Sequence, residues 1–406
     1  MKKSIYLVIA LCMTVFSSCS SDDDSFSGSG QGQTAKIELT LTGSNATRAS
    51  SSTDPATGVA TAEATVSNIV VGIFDGDGNK LVVQEVSGES LSVESGTNAI
   101  TVPLVKGTMS GCTGVVVGNV PATSVAALQS VTTKSSFLGR TISLEDATAS
   151  GDNQVATSLP MSGEVKDTEN GNVTTFSLTA GGSKTGLQVS LVRMVSRITL
   201  VSISANFENT AYPGASFKLQ RVFLRDAIDH NNVNTSVTPA EAMPSDAAYI
   251  MGDGTWSGTV WSDDANKYLF DAQTEGSEPA IGTTSPIPAT LPYYWFYAFA
   301  NSSSTHPTAF VIQGLFDQDG SGASYSGVPV FYPVIIGKIQ TGTTFDTGTG
   351  STTGSIIRNT LYNLTVNIKG KGTSSPTDDI KPVNLSVAVN VSDWNTTIVG
   401  QSVDFN

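Results

Sequence analysis

The chain has 406 residues, with 21 Lys and Arg against 35 Asp and Glu, and a net charge of −14. That balance argues against nucleic acid, which needs clustered Lys and Arg, and against docking on anionic lipid through a basic face. Only two histidines are present, His230 and His306, far apart in sequence, so a His-based metal site or triad has little to draw on. The 52 Ser, 49 Thr and short Val/Ile/Leu alternations mark a β-rich chain, and its length suits about two domains.

The N-terminus reads as an address. Lys2 and Lys3 precede an apolar run from Ile5 to Phe16, too short to cross a hydrocarbon core of ~30 Å as a permanent helix. It ends in Phe16-Ser17-Ser18-Cys19, followed by Ser and by Asp22-Asp23-Asp24. This resembles a surface-exported lipoprotein signal of the Bacteroides type, with Cys19 acylated after removal of residues 1–18. The alternative is an ordinary secretory signal with a chance cysteine.

Residues 25–34 form a Gly/Ser/Gln linker. In residues 36–42, Ile37, Leu39 and Leu41 alternate for one face of a strand. A second small-residue linker follows and carries a single cation, Arg48, before Ala49. The next strands are expected over 66–74 and 81–83, joined by the Asp75-to-Asn79 turn, then over 99–105, 114–120 and 174–179. Residues 124–130 and 144–149 suit short helical turns. The alternating stretch 187–203 is either two strands broken near Met194 or one strand crossing between domains. A domain boundary at residue 185 is expected at its start. Further strands are expected over 216–224, 293–300, 308–316, 328–339, 357–368 and 385–391. No run reads as a long amphipathic helix, so the chain is expected to be all-β, most simply two tandem β-sandwiches.

Few segments suggest chemistry. Asp75-Gly76-Asp77-Gly78-Asn79 opens like a calcium loop, but Lys80 and Val86 stand where Gly and Glu are needed. Asp317-Gln318-Asp319-Gly320 fails the same test at Val328. Gly181-Gly182-Ser183-Lys184-Thr185 lacks the spacing of a phosphate loop. The pairs Asp263–Asp264 and Asp378–Asp379 sit in turn-like contexts and read as solvated acids. Tyr293 to Phe299 is either a sugar platform or a strand packed on both faces. Arg193 and Arg197 read as a structural pair at a sandwich edge. Cys112, the one cysteine beyond the leader, reads as a buried thiol. No catalytic residue, metal set or cofactor is assigned.

The C-terminal stretch carries the strongest likeness. It opens Ile357-Arg358-Asn359-Thr360-Leu361-Tyr362, runs to Lys369-Gly370, and ends through Leu385–Val391 in Asp393-Trp394-Asn395. With Val192-Arg193-Met194-Val195-Ser196-Arg197-Ile198 and the hairpin from Ile69 to Leu81, this order resembles the Bacteroidales fimbrillins. These are major fimbrial subunits of the Porphyromonas and Bacteroides type. The resemblance implies two transthyretin-like β-sandwiches, here 49–185 and 186–406, behind a signal (1–18) and a propeptide (19–48). It implies a precursor anchored to the outer membrane by lipid at Cys19 and cut by an Arg-specific surface protease between Arg48 and Ala49. The cut would release the Ile37, Leu39 and Leu41 strand. Copies of the chain, with accessory subunits, would then join into an extracellular fimbrium by donor-strand exchange, supporting adhesion and biofilm formation. In the donor tail Ile398, Val403 and Phe405 would fill the vacated pockets. The rivals are a tip or accessory subunit, and a glycan-binding lipoprotein using the Tyr293–Phe299 aromatics. None of the three is an enzyme.

Overall fold

Alternating β-branched runs become strands almost throughout the computed structural model. It describes residues 33–43, 60–93, 96–235, 243–252, 254–262, 266–283, 294–321, 329–337, 343–345, 354–378, 384–394 and 399–400. The first half contains β1 (Gln33–Gly43), β2 (Asn68–Phe74), β3 (Lys80–Ser87), β4 (Asn98–Leu104), β5 (Thr108–Gly118), β6 (Met161–Asp167), β7 (Phe176–Thr179) and β8 (Ser183–Arg193). Four short helices accompany them: α1 (Ala60–Glu63), α2 (Ala122–Gln129), α3 (Lys134–Leu138) and α4 (Leu144–Thr148). The strands form one sheet in the order β3-β2-β5-β6-β8-β1-β4, with β7 also paired to β5. The sheet folds over a shared core, because Ile69, Val71 and Ile73 of β2 cluster with Leu39 and Leu41 of β1 and Ile100 of β4.

The opposite face of β2 is apolar as well. Val70 and Phe74 pack with Leu128 and Phe137 from α2 and α3, and the Phe74 and Phe137 rings meet edge to face at 5.7 Å. Gly72 makes room for this pair, since a Cβ there would lie 2.9 Å from the Phe74 ring. Thr133 fixes the start of α3 by a reciprocal cap. Its hydroxyl accepts from the Ser136 N–H, and the Ser136 hydroxyl accepts from the Thr133 N–H, each at 3.1 Å.

The second half contains β9 (Val195–Ala205), β10 (Ser216–Arg225), β11 (Phe270–Ala272), β12 (Tyr294–Phe299), β13 (Ala309–Asp317), β14 (Val330–Ile335), β15 (Thr343–Phe345), β16 (Thr360–Ile368) and β17 (Leu385–Asp393). They form two sheets, β12-β9-β16-β17-β15 and β11-β10-β13-β14. Ile198 and Leu364 of one sheet cluster with Leu219 and Ile312 of the other, and Val70 and Phe137 belong to the same apolar cluster, so the core continues from half to half. The all-β fold of two sandwich-like halves is as expected.

The alternating stretch resolves into two strands separated by Met194 alone. β8 stays in the first sheet to Arg193, pairing with β6, and β9 enters the second sheet at Val195, pairing with β12 and β16. The sheets therefore change at Met194, and the expected boundary at residue 185 falls inside β8. Its period-2 pattern runs on without a turn signal because the two sheets receive consecutive strands of one extended segment. The sequence reading also missed β6. Met161 and Val165 alone carry its apolar signal, while Ser162 is buried to donate to the Asn234 carbonyl and Gly163 lies against Ser190 of β8.

The Gly181-to-Thr185 segment is a turn and the start of β8. Lys184 pairs with Asp167 at 3.0 Å and with Glu169 at 2.9 Å. Loss of solvent pushes the Asp167 carboxyl up, but hydrogen bonds from Asn170 and Lys184, with the Lys184 charge, outweigh it and hold it below its ordinary value. A carboxyl lowered by folding adds stability in full above its unfolded pKa of about 3.9, and that stability is lost as pH falls through the lowered folded value. Amide exchange in Lys184–Leu187 is accordingly expected to accelerate below about pH 4. In an Asp167→Asn variant this acid step is expected to shrink to the part that Glu169 supplies through its own pairing with Lys184; an unchanged step would mean that Asp167 does not contribute.

Candidate functional site

β1 occupies an interior position in the first sheet. It pairs antiparallel with β4 over Gln33–Leu39 and parallel with β8 over Lys36–Gly43. Its alternation places Ile37, Leu39 and Leu41 in the core at 0%, 0% and 1% exposure, with Ala35 beside them. Full burial of such aliphatic side chains is worth about 1.5–3 kcal/mol apiece. The Asn98 amide donates to the Leu39 carbonyl at 3.2 Å, and the Thr42 hydroxyl donates to the Val189 carbonyl at 3.1 Å. β8 carries a bulge opposite this strand, for Ile37 faces Lys184 while Leu39 faces Leu187. Gly186, at φ +68°, supplies the extra residue. Taking β1 away would part β4 from β8 and leave two ladders unpaired around an apolar slot.

Of the other residues singled out in the sequence, Cys19, Arg48, Ala49, Ile398, Val403 and Phe405 lie outside the described residues. So do Asp263, Asp264 and Asp379. Asp378 is an exposed loop acid, and Cys112 is a buried free thiol raised by burial. The Asp75 carboxylate accepts from the backbone N–H groups of Asp77 and Asn79, as a hairpin turn requires. Among the described residues no group of His, Cys, Asp and Glu is placed to hold a metal.

Arg193 and Arg197 do not share one strand face at a sandwich edge. Arg193 ends β8 and Arg197 is the third residue of β9, and both turn into a sealed cluster where the halves meet. At its centre is Glu63, the last residue of α1. Its carboxylate accepts from Arg197 Nη1 and from the Tyr297 hydroxyl, each at 2.7 Å, and its backbone carbonyl accepts from Arg193 Nε at 3.0 Å. The Trp394 ring lies parallel to Tyr297 at 5.8 Å and 4.4 Å from the Arg193 guanidinium. Loss of solvent pulls Arg193 down to about 10 against the charge of Glu63, and burial together with Glu63 drives the Tyr297 phenol well above its ordinary value. Arg358 closes one side, donating from Nε to the Arg193 carbonyl at 2.9 Å and from Nη2 to the Ser162 hydroxyl at 3.0 Å. The Asn359 carbonyl accepts from the Trp394 N–H at 3.0 Å. Just beyond Glu63, Thr65–Val66 pairs in parallel with Val399–Gly400. The chain after the second linker and the chain entering the C-terminal tail are thus held at one place.

Comparison with known proteins matches two family models in the same order. Residues 35–193 match the major fimbrial subunit protein (FimA) model, and residues 289–394 match the FimA4 pilin C-terminal domain. The chain belongs to the Bacteroidales fimbrillin family. The limits of the fimbrillin matches follow the architecture, since the first begins in β1 and stops on the last residue of β8, and the second stops on Trp394. The major fimbrium subunit FimA type-4 of Porphyromonas gingivalis is 27% identical over 187 residues, 39% of this chain and 48% of that relative. The match thus spans about half of that curated relative's length. A crystal structure of a fimbrilin from P. gingivalis W83 superposes with a TM-score of 0.59 at 17% identity, covering 91% of this chain and 99% of the other. A putative cell adhesion protein from Parabacteroides distasonis gives 0.61 at 17% identity, covering 90% and 100%. These likenesses establish the fold.

The fimbrillin motifs noted in the sequence thus converge: Arg193, Arg197, Arg358 and Trp394 lie within one cluster. Glu63 and Tyr297 were not anticipated as their partners. Glu63 sits in a run of Ala and Thr with no pattern of its own, and Tyr297 is one of several aromatics in β12.

Proposed function

We propose that this fimbrillin is a structural subunit of a surface fimbria, matured by Arg-specific cleavage after Arg48 and polymerised by donor-strand exchange. The observation that carries the reading is the interior place of β1, a strand flanked by two linkers, the second of which contains Arg48. Cys19 would carry the lipid anchor of the outer-membrane precursor, and residues 19–48 would form the removable propeptide, leaving two halves that meet at Met194. Once β1 leaves, the slot between β4 and β8 suits an incoming strand with alternate apolar residues. The tail beyond Trp394, with Ile398, Val403 and Phe405, is the proposed donor to a neighbouring copy. Residues 1–48 carry Lys2, Lys3, Lys36 and Arg48 against Asp22, Asp23, Asp24 and Glu38, so cleavage leaves the net charge unchanged. Fibres held this way would serve adhesion and biofilm formation.

The test is to purify the chain without its signal, treat it with an Arg-specific protease, and follow the new N-terminus and the size distribution. Ala49 at the new terminus with a ladder of stable multimers is expected. Cleavage that yields monomers alone, even with other fimbrial subunits supplied, would overturn the shaft role. Resistance at Arg48 would overturn the maturation step.

A further inference from the structure

A cavity of about 160 Å³ lies beside β12, where the first half meets the second. Gln154 lines it from the first half; Tyr268, Phe270, Asp271, Tyr294 and Trp295 line it from the second. β12 is the outer strand of its sheet. The Gln154 amide accepts from the Tyr297 N–H at 2.6 Å and donates to the Tyr297 carbonyl at 2.9 Å. The backbone of Tyr297 therefore faces away from β9. By the two-residue period the N–H and C=O of Trp295 face the same way, toward the cavity.

This edge is unsuited to another strand. The Gln154 side chain already occupies the position of the next hydrogen-bonding residue, so an incoming chain would find a single residue's worth of ladder. A compact ligand fits instead. The space is smaller than the roughly 300–1,000 Å³ of pockets that enclose drug-sized ligands, and it suits one ring.

The chemistry narrows the class. Trp295 is half-buried and offers apolar surface, and the buried Tyr268 and Tyr294 line the same space. The Tyr294 hydroxyl is engaged by the Gln273 amide at 2.6 Å. Asp271 keeps an exposed side chain, yet enough protein surrounds its carboxyl to raise it above the usual range. When ionised it accepts only, so a ligand must bring O–H or N–H donors to it, while the Trp295 N–H asks for an acceptor. Hydroxyls meet both demands. The acidic chain and Asp271 disfavour acidic sugars. A cation would leave the Trp295 N–H without an acceptor. We propose that this cavity binds one neutral pyranose, the end ring of a surface glycan, through Trp295 and Asp271.

The site needs no polymerisation, so it stands apart from the donor-strand reading. The full chain is titrated with the methyl glycosides of glucose, galactose, mannose and N-acetylglucosamine, followed by saturation-transfer NMR and tryptophan fluorescence. Glucuronate and choline serve as charged comparisons. At least one neutral glycoside is expected to saturate in the millimolar range, with roughly tenfold or greater weakening in Asp271→Asn and in Trp295→Ala. Should Trp295→Ala misfold, Asp271→Asn still decides, because its side chain is exposed and the replacement is nearly isosteric. Saturation by none of the four glycosides overturns the proposal. So does binding that Asp271→Asn leaves unchanged, or binding of choline or glucuronate in place of the neutral sugars.

Discussion

Replacing Glu63 by alanine is expected to lower the unfolding free energy by about 3–5 kcal/mol, the range found when one member of a buried ion pair is removed. The carboxylate receives Arg197 and Tyr297 and lies at 1% exposure, so no water stands ready to replace it. Without it both arginines stay buried beside Trp394 with their compensating charge gone. Glu63→Gln keeps an oxygen acceptor and loses the charge, and it is expected to fall between the alanine variant and the parent. Urea unfolding reads both values. A midpoint shift at unchanged slope is the expected form, and a Glu63→Ala protein as stable as the parent would refute the clamp.

If the chain matures as proposed, Leu39→Ala has an effect that depends on the stage of assembly. In the precursor it removes a fully buried side chain from an interior strand, at an expected cost of about 2–5 kcal/mol. In the assembled fibre the same substitution is expected to change nothing, because the residue departs with the propeptide. Unfolding midpoints measured before cleavage and on assembled fibres separate the two. Equal destabilisation at both stages would mean that β1 stays in place.

The strand-rich architecture was legible because alternation and β-branching are local signals. β1, the hairpin of β2 and β3, β16 and β17 all lie near their expected positions for that reason. β6 escaped because its pairing rests on Ser162 and Gly163, residues whose burial depends on the strands beside them. The Arg pair was legible as structural but misplaced in kind. Spacing by four implies one face only if the strand continues in one sheet, and the break at Met194 sends the chain into another. β1 was readable from its alternation and its isolation between linkers. Glu63 was not, because a lone carboxylate reveals its role only when two arginines distant in sequence close over it.

The single-residue joint at Met194 has a mechanical meaning. In a fibre assembled as proposed, tension enters a subunit through the strand seated beside β8, and pulled along its own length that strand must shear its whole ladder at once. β8 hands the load through one residue to β9, which passes it sideways through β16 to β17 and so to the tail gripping the next subunit. No loop lies between β8 and β9 to lengthen under pull, so the filament is expected to resist stretch at each such joint as a taut cord does.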